Sequence, residues 1–398
     1  MVTGALALEA VLGRAQGRGW AGADPYDGLL SGLGRVAIPL GPAARAAVIQ
    51  GVLRSPAIRK LVRPSASINP KGLGLFLGAA LRGRDTLGAA RASALGEELL
   101  ECIAALAVRD GKRAAWGYPF PWQSRFLWAP AGTPNAVVTA TIGWHLLDWA
   151  DHGGSGQADE SLARELGAGA ALFLSERLSH APVDSRSSAV SYTTRDSSRI
   201  VNVSMLVARL LARVLSPGMR DQASRLVEFA LAAQRADGTW PYSVDARGGW
   251  VDSFHTGFVL EALLHLRDFG WTISEEAIRR GFDAYGRFFD PDGGARLFLH
   301  ADSPIDAHSA AQGIVTYTAR AGDARASGAD RLTARDRALR IARFCLERLW
   351  IPERGCFAYR IEKGRRLDQE YTRWVQAWMA LGMSAALELE RIAELQSA

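Results

Sequence analysis

Two kinds of apolar pattern alternate along the chain. FVLEALLHL (258–266), VVTATIGWHLLDW (137–149), VSMLVARLLARV (203–214), AAQGIVTY (310–317) and AWMALGMSAALEL (377–389) are apolar on almost every face and poor in charge. Their spacing is helical rather than alternating, as expected of helices buried all round. Leu162 to Arg177, Met219 to Arg235, Glu275 to Phe289 and Thr333 to Leu349 carry charges on one face and Ala, Leu and Phe on the other, as surface helices do. Residues 84–111 add another of this kind, clearest at ALGEELLECIAALAV. An inner and an outer ring of helices follows. The fold class predicted is all-α, an (α/α)5-6 toroid with its loops gathered at one end.

Each buried helix comes after a loop rich in aromatic residues. Gly238 to Trp250 contains Pro241 and feeds the helix beginning near Ser253; Trp116 to Trp128 precedes Pro134 and Asn135. Tyr192 leads to Asn202, Pro304 to Asp306 and His308, and Tyr371 to Arg373, Trp374 and Gln376. Asp252 stands where an N-cap belongs. Asn202, His255 and His308 recur at a spacing near 50 residues, the mark of a repeated supersecondary unit. The predicted consequence is a funnel into which Asn135, Asn202, Asp252, His255, Asp306, His308 and Arg373 converge. Residues 1–83 read as a cap with the first helices, and 84–398 as repeated pairs. No composition shift divides them, so one domain is expected. Ala321 to Gly328 reads as a mobile loop between repeats.

Composition narrows the partners. No uncharged apolar run of about 18 residues occurs, so no membrane-spanning helix is expected. The stretch MVTGALALEAVLGRAQGRGW lacks a basic region before its apolar residues, which argues against a secretory signal. Cys102, Cys345 and Cys356 are odd in number and lack zinc spacing, which fits a reducing cytoplasm. A formal net charge of +6, with Arg spread over many helices, argues against nucleic acid and suits an anionic small molecule or glycan. No cofactor or metal motif is present: no Gly-x-Gly-x-x-Gly, no P-loop, no His-Glu-x-x-His.

The candidate chemistry follows from the loops. Trp116, Tyr118, Trp122, Tyr192, Trp240, Tyr242, Trp250 and Trp374 offer flat faces for a sugar ring, although tryptophans are commonly packing residues. Arg125 and Arg373 offer a fork for a carboxylate or phosphate, or satisfy loop carbonyls. Asn135, Asn202 and Gln376 supply amides. His255 with Asp252, and His308 with Asp306, suit proton transfer at a sugar carbon by epimerisation or β-elimination. The two aspartates alone would suit glycoside hydrolysis. Simple helix caps and buried core histidines are the bland alternatives. His145, His152, His180 and His265 lie off the pattern.

QRADGTW resembles the Gln-x-x-Asp-Gly-Ser/Thr-Trp repeat of the squalene-cyclase and prenyltransferase toroid superfamily. Five segments in order, WGYPFPWQSR, TPNAVVTA, GTWPYSVDARGGWVDSFHTGFVLEAL, PIDAHSAAQGI and YTRWVQAWM, resemble the VpsJ-type polysaccharide-biosynthesis proteins of bacterial glycan gene clusters. The likeness reaches weakly into DPYDGL and NPKGLGLFL. It implies an α/α toroid acting on a saccharide or nucleotide sugar during surface or exopolysaccharide synthesis. The Asp-x-Asp-Asp motif of terpene cyclases is missing. An isoprenoid-binding toroid and a non-catalytic glycan-binding protein stay open as alternatives.

Overall fold

The computed structural model describes residues 3–153 and 156–397. Six helices form the inner ring: Pro70–Arg82, Ala136–His152, Val201–Val214, Ser253–Asp268, Ala307–Gly322 and Trp378–Ser397. Each packs against its neighbours, and the sixth closes on the first. Outside them lie Ala89–Ala105, Gln157–Glu176, Met219–Ala232, Glu275–Gly286 and Gly328–Phe344, each against the inner helix that precedes it. The sixth outer position is filled from the other end of the chain. Gly4–Gln16 packs on Trp378–Ser397, so the two ends of the described chain close the ring together. The (α/α)6 toroid is thus the predicted fold class, with the N-terminal helix used as its closing member.

Charge pattern decides which ring a helix joins. In Val201–Val214 every residue through Ala212 is buried, so a helix of this composition is stable only when walled on all sides. Burying a Leu or Val side chain contributes roughly 1.5–3 kcal/mol, and the core runs without a break through all six inner helices.

One chain of backbone hydrogen bonds shows that all the inner helices start at the same end. The first amide of a helix has no partner within its own helix. Here Ala136 N–H donates to the Tyr192 carbonyl (2.8 Å), Val201 N–H to Tyr242 (3.0 Å) and Ser253 N–H to Leu297 (3.0 Å). Ala307 N–H donates to Tyr359 (3.2 Å) and Thr372 N–H to Ala23 (3.0 Å). Each inner helix is therefore tied to the loop of the next repeat, and the last tie reaches the loop at Ala23. The sixth equivalent position is Pro70, which has no N–H to donate.

The QRADGTW segment has a structural job. Trp240 buries its indole and donates Nε1–H to the Ala230 carbonyl (2.9 Å), while Gln234 donates to the Ala277 carbonyl (2.9 Å). Gly238, at φ +83° and hard against the Arg280 carbonyl, allows this approach. The motif clasps two successive outer helices. Strands are short, in two- and three-residue pairs; the largest sheet has three, with Arg360 opposite both Asp306 and Leu367.

One detail differs from expectation. Ala321 to Gly328 is tied down: buried Asp323 accepts from Arg320 (2.8 Å) and lies 3.6 Å from Arg267. Within the region read as a cap with the first helices, residues 28–68 hold three short helices, Gly32–Ala37, Pro42–Arg54 and Pro56–Val62. Arg45 of the cap lies over the Trp128 ring at 4.0 Å, on the hairpin at the funnel rim.

Candidate functional site

The second residue of each inner helix occupies an equivalent position at the shared end of the ring. These residues are Lys71, Val137, Asn202, Phe254 and His308, with Arg373 second in the π-turn Thr372–Ala377 before the last helix. The helix register therefore makes His308 equivalent to Phe254, not to His255, which stands one residue further in. The equal spacing of the two histidines arises from loops of different length.

Asp252 caps Ser253–Asp268. Its Oδ1 accepts the His255 amide (3.0 Å), and its Oδ2 lies 2.6 Å from His255 Nδ1 and accepts Trp250 Nε1–H (3.2 Å). A carboxylate on Nδ1 fixes the imidazole tautomer and leaves Nε2 for a substrate. The His255 side chain keeps 21% of its surface exposed, against 4% for Asp252. Asp252 thus positions His255 and has no free oxygen for acid–base work of its own.

His308 lies on the other side of Phe254. The ring centroids of His255 and His308 are 4.2 and 4.5 Å from that of Phe254, so the two imidazoles and the phenyl ring form one packed cluster. His308 stacks on Trp378 (4.7 Å) and meets the edge of Trp374 (4.6 Å). Neither ring nitrogen has a hydrogen-bond partner, nor do the indole nitrogens of Trp374 and Trp378 or the Asn202 amide oxygen. Buried polar atoms without partners are uncommon, and those of His308, Trp374 and Trp378 lie in one ring cluster. Burial, reinforced by Lys71 and Arg373, holds the His308 pKa well below its ordinary value, so it stays neutral. Its expected pairing with Asp306 does not form.

Lys71 is the residue the sequence reading missed. It is 3% exposed, and its ammonium makes no hydrogen bond or ion pair among the described residues. Its ammonium lies over the faces of Phe258 (5.3 Å) and Trp378 (5.2 Å). Burial, with Arg373 nearby, holds its pKa well below the usual lysine range. The signal was present in the sequence: Asn69-Pro70-Lys71 has the same cap-to-second-residue register as Asp306-Ala307-His308.

Arg373 is committed elsewhere. It forms a buried fork with Asp24, Nε to Oδ2 at 2.6 Å and Nη2 to Oδ1 at 2.8 Å, each side chain 3% exposed. It clamps a carboxylate of its own chain and stiffens the chamber wall beneath Tyr118 (5.4 Å) and Trp374 (4.9 Å).

Tyr118, Trp122 and Tyr192 form one aromatic wall, with Tyr118 and Tyr192 hydroxyls 3.2 Å apart and Trp122 5.3 Å from Tyr192. Tyr242 stacks on Trp250 (4.5 Å) and touches His255 (4.7 Å), while exposed Arg125 lies over Trp250 (5.4 Å). Three expected contacts lie elsewhere. Trp116 is fully buried with its Nε1–H on the Ile103 carbonyl (2.9 Å), and Trp240 is the clasp already described. Gln376 exchanges two hydrogen bonds with the Phe357 backbone. Asn135 is an N-cap, accepting from Val138 N–H (3.0 Å).

Asp306 caps Ala307–Gly322 through the Ser309 amide (3.0 Å), and burial pushes its pKa up to about 6. The folded protein then holds a proton that the unfolded chain releases, so this group lowers stability as pH rises from about 4 to about 6. Asp306→Asn keeps the cap and removes the term. Its stability advantage over wild type should grow across that window, by up to about 3 kcal/mol, and be flat above pH 7. Urea midpoints of both proteins between pH 4 and 8 test this.

No protein-family model matches the sequence, and comparison with curated proteins found no similar sequence. Solved structures match in fold. A GH76 alpha-mannanase of Bacteroides thetaiotaomicron aligns at TM-score 0.62 and 12% identity, covering 83% of this chain and 89% of that one. Cellobiose 2-epimerase of Spirochaeta thermophila aligns at 0.60 and 13%, covering 82% and 87%. An unsaturated glucuronyl hydrolase specific for heparin aligns at 0.56 and 12%, covering 84% and 90%. At such identity the likeness shows a shared toroid fold.

Proposed function

We propose that this chain is a carbohydrate-active enzyme of surface or exopolysaccharide synthesis that removes a proton from a sugar carbon beside a carboxylate, with His255 as the base. The observation that carries this reading is the His255–Asp252 pair beside Tyr242 and Trp250, near the buried and unpaired Lys71. A uronate fits these parts. Its carboxylate meets Lys71, its ring lies along the Tyr118–Tyr192 and Tyr242–Trp250 walls, and His255 Nε2 takes the proton α to the carboxylate. Lys71 stabilises the enolate charge that develops.

A neutral His308 leaves His255 as the single proton carrier. That suits β-elimination, in which the adjacent glycosidic C–O bond breaks as the new double bond forms and the departing oxygen receives the proton that His255 removed. Epimerisation would need a second, protonated base on the opposite face. Glycoside hydrolysis ordinarily uses two carboxylic groups. Asp24 is held by Arg373 and Asp252 by His255 and Trp250, which leaves only Asp306. The fold neighbours named for mannanase, epimerase and glucuronyl hydrolase activities support a saccharide substrate, and the resemblance of five segments to VpsJ-type proteins supports a biosynthetic setting.

The test is incubation with oligoglucuronate, oligogalacturonate and UDP-glucuronate in deuterated water. Expected is either an unsaturated uronate, seen by its ultraviolet absorbance, or deuterium at the carbon beside the carboxylate. Cleavage to saturated products without deuterium would move the chemistry to the carboxylates and sink the His255 assignment.

A further inference from the structure

We infer that the cap of residues 28–68 docks on an anionic lipid membrane surface and holds the funnel mouth beside it. The charge of the chain is unevenly placed. Residues 28–68 contain six basic side chains and no acidic one, which equals the entire formal excess of +6; the rest of the chain is balanced. Arg45 and Arg59 turn inward, Arg45 to Gln123 (3.0 Å) and Arg59 to Asp27 (2.6 Å). Arg35, Arg54, Lys60 and Arg63 are exposed.

The same segment displays aliphatic side chains to solvent. Leu33, Val36, Leu40, Ile58 and Leu61 are 52, 62, 69, 40 and 82% exposed. Leu33 and Val36 lie one turn apart on one short helix, as do Ile58 and Leu61 on another, so each pair shares a face. A monomer gains nothing from exposing five large aliphatic residues among cations and without a carboxylate. Basic heads around apolar side chains are what an interface of anionic headgroups and acyl chains accepts. A nucleic acid would use the cations and leave the aliphatics wet, so it fits less well. No helix among the described residues is long and apolar enough to cross a membrane, so the contact is peripheral.

The cap is bolted to the candidate site. Arg59 donates to the Asp24 carbonyl (3.2 Å), and Asp24 holds Arg373 in the chamber wall. Strand pairing of Ala21 with Ile68 closes its base. A glycan borne on a lipid would thereby reach the funnel without leaving the surface.

The experiment is flotation of the full chain with phosphatidylcholine vesicles and with vesicles containing 30% phosphatidylglycerol, at low and high salt. Wild type is expected to float with the anionic vesicles only, and at least tenfold less at high salt. Val36→Ser/Leu40→Ser/Leu61→Ser and Arg35→Glu/Lys60→Glu/Arg63→Glu should each cut the bound fraction tenfold or more. All six positions are exposed, so thermal midpoints should stay at the wild-type value and certify the fold. Absence of flotation by wild type, or flotation that survives both triple variants, overturns the inference. So does a wild-type dimer that the same variants dissociate, or tighter binding to a nucleic-acid duplex than to the vesicles. None of these outcomes depends on the saccharide reading.

Discussion

His255→Ala should lose 10²- to 10⁴-fold in kcat while retaining the wild-type thermal midpoint, the range expected when a positioned general base is removed. The imidazole contributes little to the core. It keeps a fifth of its surface exposed, and the helix cap depends on Asp252 meeting a backbone amide, which the substitution preserves. Asp252→Asn is the informative companion. Asparagine still caps the helix but offers only one acceptor oxygen to the His255 amide, His255 Nδ1 and Trp250 Nε1, which now share two. The imidazole should then populate both tautomers, giving a smaller fall in kcat with KM nearly unchanged. Trp250→Ala acts differently, because it removes the stacking partner of Tyr242 and should raise KM more than it lowers kcat. Steady-state kinetics on whichever uronate substrate shows turnover separate these effects. Full activity in His255→Ala would remove the proton-transfer mechanism.

Much of this architecture was legible because toroid repeats state themselves twice. Charge-poor and charge-striped helices alternate, and four of the six buried helices announce their start with Asn69, Asn135, Asp252 or Asp306. Those signals are local and survive without knowledge of the fold. What failed was everything that depends on contacts distant in sequence. Trp116 and Trp240 look like sugar platforms in a Gly- and Pro-rich loop, yet each indole N–H finds a carbonyl at the end of the preceding outer helix. Arg373 looked free because its partner, Asp24, lies at the other end of the chain, joined to it only when the ring closes. Lys71 hid for the opposite reason. A lysine reads as surface in isolation, and only alignment of cap positions puts it beside His308. The sequence also showed Arg scattered through many helices without showing which of them find a carboxylate, as Arg209 does at Glu261 and Arg213 at Asp148.

Arg373→Leu should destabilise the protein by about 3–5 kcal/mol, a large share of the net stability of an ordinary domain. The cost arises from what remains. Asp24 is 2% exposed and accepts from the Tyr26 amide (3.1 Å) and, at 3.4 Å, from Asn69, so the carboxylate stays pinned in the wall with its counter-ion gone. Two neutral donors do not replace a bidentate guanidinium. Asp24→Asn/Arg373→Leu should recover a substantial part of the loss, because the uncompensated charge disappears together with its partner. Urea unfolding of the two single variants and the double variant gives the coupling directly, and residues in such contact should show 0.5–3 kcal/mol of it. The same cycle separates the two roles an arginine at this position can have. A substrate clamp would leave stability intact and raise KM on Arg373→Leu. A wall residue lowers stability first and disturbs Tyr118 and Trp374, which it covers, as a consequence. The fork with Asp24 makes the second outcome the expected one, and it leaves Lys71 as the cation available to an anionic sugar.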